Sequence, residues 1–244
     1  MLRRREFIKV AGFGGAVCAA ARTLPAGALG RLSHGISKEG QDMNYTPKDY
    51  AKLIGTPGFS ETLLKNHFTL YQGYVTNTNK VLDILGLMAG DGKTATPEYA
   101  ELKRRLGWEF NGMRLHELYF ENLGGKAPLD PAGKLGRKLI EQYVDIESWE
   151  KDFRATGAMR GIGWVVLYED TTNGRLINFW INEHDVSHPA GCAPLLIMDV
   201  FEHAFITDYG LKRVDYIEAF FKAVDWTVAA KRFGAVASSK TELI

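Results

Sequence analysis

The chain has 244 residues, 45% of them hydrophobic and 24% charged, with 30 Lys and Arg against 29 Asp and Glu. That balance is of an ordinary globular protein and excludes a disordered chain, a collagen and a polytopic membrane protein. A formal charge of +1 offers no field for nucleic acid, and two cysteines allow neither a disulfide framework nor a multi-cysteine zinc site.

The first thirty residues read as an address. Arg3-Arg4-Arg5-Glu6-Phe7-Ile8-Lys9 is followed by small and apolar residues from Val10 to Ala21, and Ala26-Gly27-Ala28 supplies a cleavage site. Arg4-Arg5-x-Phe7-x-Lys9 looks like a twin-arginine signal, which predicts export, periplasmic in a bacterium. The apolar run stops at Arg22, short of a bilayer span, and Gly15-Ala16-Val17 ahead of Cys18 is a poor lipidation signal. Gly12-Phe13-Gly14-Gly15 has no strand before it and is no dinucleotide loop. Removal of residues 1–28 takes away five basic residues and one acidic one, leaving a net charge of −3 and only Cys192. The twin-arginine route carries folded proteins, often with a cofactor already inserted, so the address itself hints at a metal or redox centre.

Residues 29–44 read as a flexible tail. A long helix is predicted from Ser60 to Gly90, with Leu63, Leu64, His67, Leu70, Tyr71, Tyr74, Val75, Thr78 and Val81 recurring at three- and four-residue steps. Gly90-Asp91-Gly92 breaks it. A second helix runs from Pro97 to about Leu123, carrying Leu102, Leu106, Phe110, Met113, His116 and Phe120 on one stripe, and ends at Gly124-Gly125. Two short helices are predicted near 131–143 and 146–156. Trp164–Tyr168 and Arg175–Ile181 are β-prone around a turn at Asp170–Gly174, a hairpin. Leu195–Met198 is a wholly apolar run, the mark of a buried strand, and Cys192 is read as a packing residue in a Gly-Cys-Ala-Pro turn. A turn through His203, a helix near 213–223 and a last helix from Trp226 complete the chain. The class is α+β: an N-terminal helical hairpin over 45–125, and a domain over 126–244 with a three-stranded antiparallel sheet flanked by helices.

The strongest local signal is Met198-Asp199-Val200-Phe201-Glu202-His203. Asp199 and His203, four apart after a buried strand, can point into one internal site, and two buried ionisable groups need a partner. A metal ion supplies one, because a carboxylate with neutral imidazoles is a common ligand set. His67 and His116 sit on the apolar stripes of the two long helices. Taken singly, each is equally a core histidine bonded to a carbonyl, and Asp199 with His203 equally a helix-end ion pair. The convergence of three of the six histidines on apolar faces favours the metal.

On these residues the chain resembles the iron/manganese superoxide dismutases. Asp199-Val200-Phe201-Glu202-His203-Ala204-Phe205 is similar to that family's Asp-x-Trp-Glu-His-Ala-Tyr signature. Lys212-Arg213-Val214-Asp215-Tyr216-Ile217 and Val224-Asp225-Trp226 resemble the segment that follows it, and Gly161-Ile162-Gly163-Trp164 the Gly-x-Gly-Trp before the first strand. Leu115-His116-Glu117-Leu118-Tyr119-Phe120 and Tyr74-Val75-x-Asn77-x-Asn79 are similar to the family's helical motifs, so the likeness runs from about 45 to 233. It implies one iron or manganese ion per subunit held by His67, His116, Asp199 and His203, with a solvent molecule as fifth ligand. It further implies a homodimer through the metal-site face, Glu202 reaching the partner's ligand histidine, and Trp164 and Phe201 in the apolar shell. His184 stands where many members have a Gln bonded to the metal's solvent ligand.

Some positions depart from the pattern. The family usually has His four and Tyr eight residues after its first ligand; here Tyr71 lies four and Tyr74 seven after His67. Alignment without a gap on Tyr74-Val75 puts Asn66 at the ligand position, but an amide is a poor ligand beside imidazoles, so His67 is preferred. The signature Trp is Phe201, and Ile206 replaces a Tyr of the gateway between subunits. The implied reaction is dismutation of superoxide, with His184, Tyr74 and Tyr71 as candidates for its catalytic hydrogen bonds. A dismutase-like protein that holds metal with little turnover is the alternative. A metal-dependent hydrolase or oxygenase is disfavoured by the bulk of Phe201, Trp164, Tyr71 and Tyr74.

Overall fold

The computed structural model describes residues 44–125 and 127–241, so the expected signal segment and most of the tail lie outside the described residues. The chain enters through a short 3-10 turn, Ala51–Leu53, which the periodicity did not predict. Helix α1 spans Glu61–Gly90. Its start is fixed by Ser60, whose hydroxyl accepts from the Leu63 amide at 3.1 Å. The same hydroxyl donates to Asp208 at 2.6 Å, which ties the helix start to the segment just after His203. Helix α2 spans Pro97–Glu121, with Thr96 as its cap and Pro97 in the first turn, where a missing N–H costs nothing. The two helices pack as an antiparallel hairpin, with Gly92 at positive φ in the link.

The buried face of α1 is Leu63, Leu64, His67, Tyr71, Val75, Thr78, Val81 and Leu85. Leu70 departs from the expected stripe and is exposed, because 3.6 residues per turn carry it past the edge of the contact with α2. Helices α3 (Lys134–Tyr143) and α4 (Ile146–Gly157) follow, α4 capped by Asp145. Strands β1 (Gly163–Asp170), β2 (Leu176–Asn182) and β3 (Cys192–Asp199) then form an antiparallel sheet in the order β2-β1-β3.

Central β1 is buried from Gly163 to Glu169, as its continuous apolar run requires. Strand β3 begins earlier than its apolar run suggests. Cys192 pairs with Asp170 and so lies in a strand rather than a turn. Pro194 is tolerated there because β3 is an edge strand and its register with β1 shifts between Leu167 and Tyr168. A 3-10 turn (Glu202–Ala204), α5 (Ile206–Tyr209), α6 (Arg213–Ala223) and α7 (Trp226–Thr241) complete the fold. Among the described residues no helix is long and apolar enough to cross a membrane.

One core joins the helical hairpin to the sheet. It includes Leu63, Tyr71, Met113 and Phe120 from the helices and Trp164, Val166, Leu196 and Ile197 from the strands. Two polar groups stitch this seam. Asn122 donates to the Ile197 carbonyl at 2.7 Å, and Arg232 of α7 donates to Asn122 Oδ1, Leu195 O, Leu118 O and Glu121. The hairpin is thereby held against the end of β3, where Asp199 stands.

Candidate metal centre

Asp199 is the last residue of β3 and is wholly buried. Its Oδ1 accepts from the Phe201 amide at 2.8 Å, which turns Oδ2 inward. The Tyr216 hydroxyl donates to the Asp199 backbone carbonyl at 2.6 Å and lies 3.1 Å from the Tyr119 hydroxyl, so the strand end is clamped from behind. Three imidazoles face Oδ2: His67 Nε2 at 3.1 Å, His203 Nε2 at 3.0 Å and His116 Nε2 at 3.7 Å. One donor atom from each of the four residues lies within 4.8 Å of the others.

His67 and His116 are fully buried, and His203, on the 3-10 turn, is 28% exposed. Asn66 faces solvent, so the register of α1 brings His67, not the amide, into the cluster. Aromatic rings close the cage. Tyr119 and Phe120 lie 5.3 and 4.9 Å from the His67 ring, and Trp164 meets His116 edge-on at 4.9 Å.

The donor set fits a transition-metal ion. His116 Nδ1 lies 2.6 Å from the Gly112 carbonyl, which takes its proton and leaves Nε2 bare. That Nε2 is buried and has no hydrogen-bond partner among the described residues, a costly state for a nitrogen lone pair unless an ion accepts it. Donor atoms bonded to one ion at roughly 2.0–2.2 Å sit about 3–3.5 Å apart, close to the spacing around Oδ2. Burial lowers the pKa of His67 and drives that of His116 well below its usual value, with the neighbouring His67 adding to the second shift. Burial resists ionisation of Asp199, but its interactions with His203 and His67 overcome it and hold the carboxyl far below its ordinary range. Neutral imidazoles and an ionised carboxylate are the forms that bind metal. Three nitrogens and one oxygen suit iron or manganese better than an all-oxygen ion such as calcium.

His184, on the loop after β2, is buried beside the cluster. The Trp164 indole N–H donates to its Nδ1 at 3.1 Å, and the Tyr74 hydroxyl lies 2.7 Å from its Nε2. Burial pushes His184 down to about 4, so the ring is neutral at pH 7. Burial, then the Asp199 and Glu109 charges, push Tyr74 up to about 12. The Tyr74 ring stacks on His116 at 5.2 Å, and Phe201 stacks on both His184 (4.6 Å) and His203 (5.2 Å).

Tyr71 is placed differently from Tyr74. Its hydroxyl donates to Glu117 Oε1 at 2.9 Å and accepts from the Lys48 amide at 3.0 Å, so it fastens the entering chain and makes no bond to His184 or the cluster. A step of three residues along α1 rotates it about 60° away from Tyr74. Glu202 is exposed and precedes His203 in the 3-10 turn.

Several residues of the site gave no signal in the sequence. Trp108 meets His184 edge-on at 4.8 Å, and His188 joins Tyr168 (3.1 Å) to the His184 carbonyl (2.8 Å). Glu109 and Glu117 are buried acids on α2 whose charges are met by Arg105 and Arg114. Tyr216 stood within a quoted motif, but nothing in the motif says that it holds Asp199.

Fold and site together define an α+β protein with a buried cluster of three histidines and one aspartate suited to one metal ion. Residues 131–232 match the family described as iron/manganese superoxide dismutases, C-terminal domain. The chain is 36% identical to a protein named superoxide dismutase [Fe] of Aquifex pyrophilus, over 77% of this chain and 90% of that one. It is 37% identical to superoxide dismutase [Fe] of Cupriavidus metallidurans, over 76% and 92% of the two chains. Identity to superoxide dismutase [Mn] 2 of Haloferax volcanii is 31%, over 79% and 94%. The chain belongs to the iron/manganese superoxide dismutase family.

Proposed function

We propose that the chain is an exported superoxide dismutase. The observation that carries the activity is the cage of three imidazole nitrogens around Asp199 Oδ2, in a chain of this family. One superoxide gives up its electron and leaves as dioxygen; a second takes the electron and two protons and leaves as hydrogen peroxide. His67, His116, Asp199 and His203 would hold an iron or manganese ion, which would supply one-electron cycling between trivalent and divalent states. One carboxylate offsets part of that charge and leaves the site positive, which favours an anionic substrate. Trp164, Phe201, Tyr119 and Phe120 keep bulk water out, while His184 and Tyr74 hold exchangeable protons beside the cage.

Residues 1–28 act in this reading as the twin-arginine signal and residues 29–44 as a tail. The chain beyond them comprises the helical hairpin (45–125) and the metal-binding domain (126–244), delivered to the periplasm. The exposed position of Glu202 beside His203 supports a homodimer through the metal-site face.

Purified protein, loaded separately with iron and with manganese, is expected to consume superoxide rapidly with at least one metal, with His203→Ala as the inactive control. Full metal content without turnover would refute the activity and favour a metal-holding protein, a reading supported by Tyr71 facing Glu117 and by Ile206 at the gateway position. Replacing Arg4 and Arg5 by Lys should leave the full chain in the cytoplasm; unchanged export would refute the twin-arginine route.

A further inference from the structure

An acceptor without a donor stands on α2 and a donor without an acceptor on α1, both at the edge of the site. The Trp164 indole nitrogen can only donate, so His184 Nδ1 accepts, and the single proton of the neutral ring sits on Nε2. That N–H donates to the Tyr74 oxygen at 2.7 Å. The proton of the Tyr74 hydroxyl is therefore free, and among the described residues that hydroxyl makes no other hydrogen bond.

The acceptor is Glu109, on α2 one turn before Gly112. Its side chain is 3% exposed. Oε1 is gripped by Arg105 through Nε (2.6 Å) and a terminal nitrogen (2.5 Å), whereas Oε2 is buried and has no hydrogen-bond partner among the described residues. Gly112, three residues further along α2, admits the Tyr74 ring against the helix. The Tyr74 ring lies directly on its Cα, so close that a Cβ there would stand 2.5 Å from Cδ1 and 2.7 Å from Cε1. Glu109 stands three residues before Gly112, on the same side of α2. Electrostatically, Glu109 and Arg105 act on the Tyr74 hydroxyl with opposite signs.

We propose that an ordered water joins Glu109 Oε2 to the Tyr74 hydroxyl, which makes Glu109, held by Arg105, a positioning residue for Tyr74. The water accepts the free phenolic proton and donates to Oε2, so both unmatched groups are satisfied at once. Glu109 thereby sets the direction of the Tyr74 O–H. Arg105, whose side chain is 53% exposed, carries the chain of hydrogen bonds His184–Tyr74–water–Glu109 to the protein surface. This rests on the dismutase reading and extends it to a residue that touches neither metal ligand nor substrate.

The test has two arms. A high-resolution crystal structure of the metal-loaded protein is expected to show a water within about 3.2 Å of both Glu109 Oε2 and Tyr74 Oη; a dry contact or an empty gap there overturns the proposal. In the second arm, Glu109→Gln, Tyr74→Phe and the double variant are compared at equal metal content. Glu109→Gln is expected to lower kcat about fivefold or more in the wild-type background and by less than twofold where Tyr74 is already Phe. Equal losses in both backgrounds, or none in the first, would show that Glu109 is structural. If the wild type itself shows no turnover, the dismutase reading fails, and the water in the crystal still judges Glu109.

Discussion

Gly112→Ala sets two opposing effects against each other. Within a helix, Ala is favoured over Gly by about 1 kcal/mol, and Gly112 has no unusual backbone angle to protect. The added Cβ, however, would lie 2.5, 2.7 and 3.0 Å from Cδ1, Cε1 and Cγ of Tyr74. Carbon atoms approach to roughly 3.5 Å, so the ring must retreat by about 1 Å. It cannot tilt freely, being stacked on His116 on one side and bonded to His184 at 2.7 Å. A retreat of that size takes the hydroxyl beyond hydrogen-bond range. Overpacking costs about 1–3 kcal/mol and the lost bond about 1 kcal/mol, which together exceed the helix gain.

The variant should therefore be less stable by roughly 1–3 kcal/mol, a fall in Tm of a few degrees for a domain of this size. Its turnover should drop about tenfold, equivalent to 1.4 kcal/mol in the barrier, with metal content unchanged. Thermal unfolding by circular dichroism and pulse-radiolysis kinetics of superoxide decay read the two effects separately. A variant at least as stable as the wild type, with full turnover, would refute the close packing of Tyr74 on Gly112.

Replacing His116 by Ala should cut bound iron or manganese below a tenth of the wild-type stoichiometry while the helical spectrum persists; full occupancy by elemental analysis would remove His116 from the cage. At Gly163, with φ at +150°, a Cβ would stand 2.0 Å from the Ile181 carbonyl oxygen, so Gly163→Ala should yield insoluble protein. Soluble protein with native stability would contradict the register at the head of β1. Arg232→Met removes bonds to Leu118 O, Leu195 O, Asn122 and Glu121, and should lower stability to urea by about 2–3 kcal/mol with kcat unchanged. For Glu121, burial opposes ionisation, but Lys48 and Arg232 prevail and hold its folded pKa below the ordinary 4.5. The unfolded chain thus takes up this proton first, and the contribution of Glu121 is complete above about pH 4.5 and lost as pH falls through the folded value. Glu121→Gln should flatten the acid limb of a stability–pH curve, and an unchanged slope would dismiss the effect.

Much of the architecture was legible because its causes are local. Ser60 and Thr96 cap the helices they precede, the three- and four-residue steps mark both stripes, and the apolar runs mark β1 and β3. Local cues misled where a neighbour decided. Leu70 fits the helical period but falls outside the width of the α2 contact, and Cys192 is drawn into β3 because β1 extends to Asp170 and offers it a partner. Tyr71 and Tyr74 both stood as candidates for the catalytic hydrogen bonds. Only the packing of α2 separates them, since Glu117 captures the first hydroxyl and the bare Cα of Gly112 admits the ring of the second.

The site divides in the same way. Residue types and helical faces nominated His67, His116, Asp199 and His203, because few reasons exist to bury histidines beside a carboxylate. Their meeting at one oxygen is a tertiary event. His67 and Asp199 are 132 residues apart in the chain, and no periodicity encodes the 3.1 Å between them. The tautomer of His184, the orphaned Nε2 of His116 and the unmatched oxygen of Glu109 likewise depend on which group stands opposite. Hydrogen bonds and ligand bonds vary steeply with distance and angle, whereas hydrophobic patterning specifies only a face. The sequence therefore determines which elements form and which sides they bury, and the packing of hairpin on sheet decides what those buried polar atoms become.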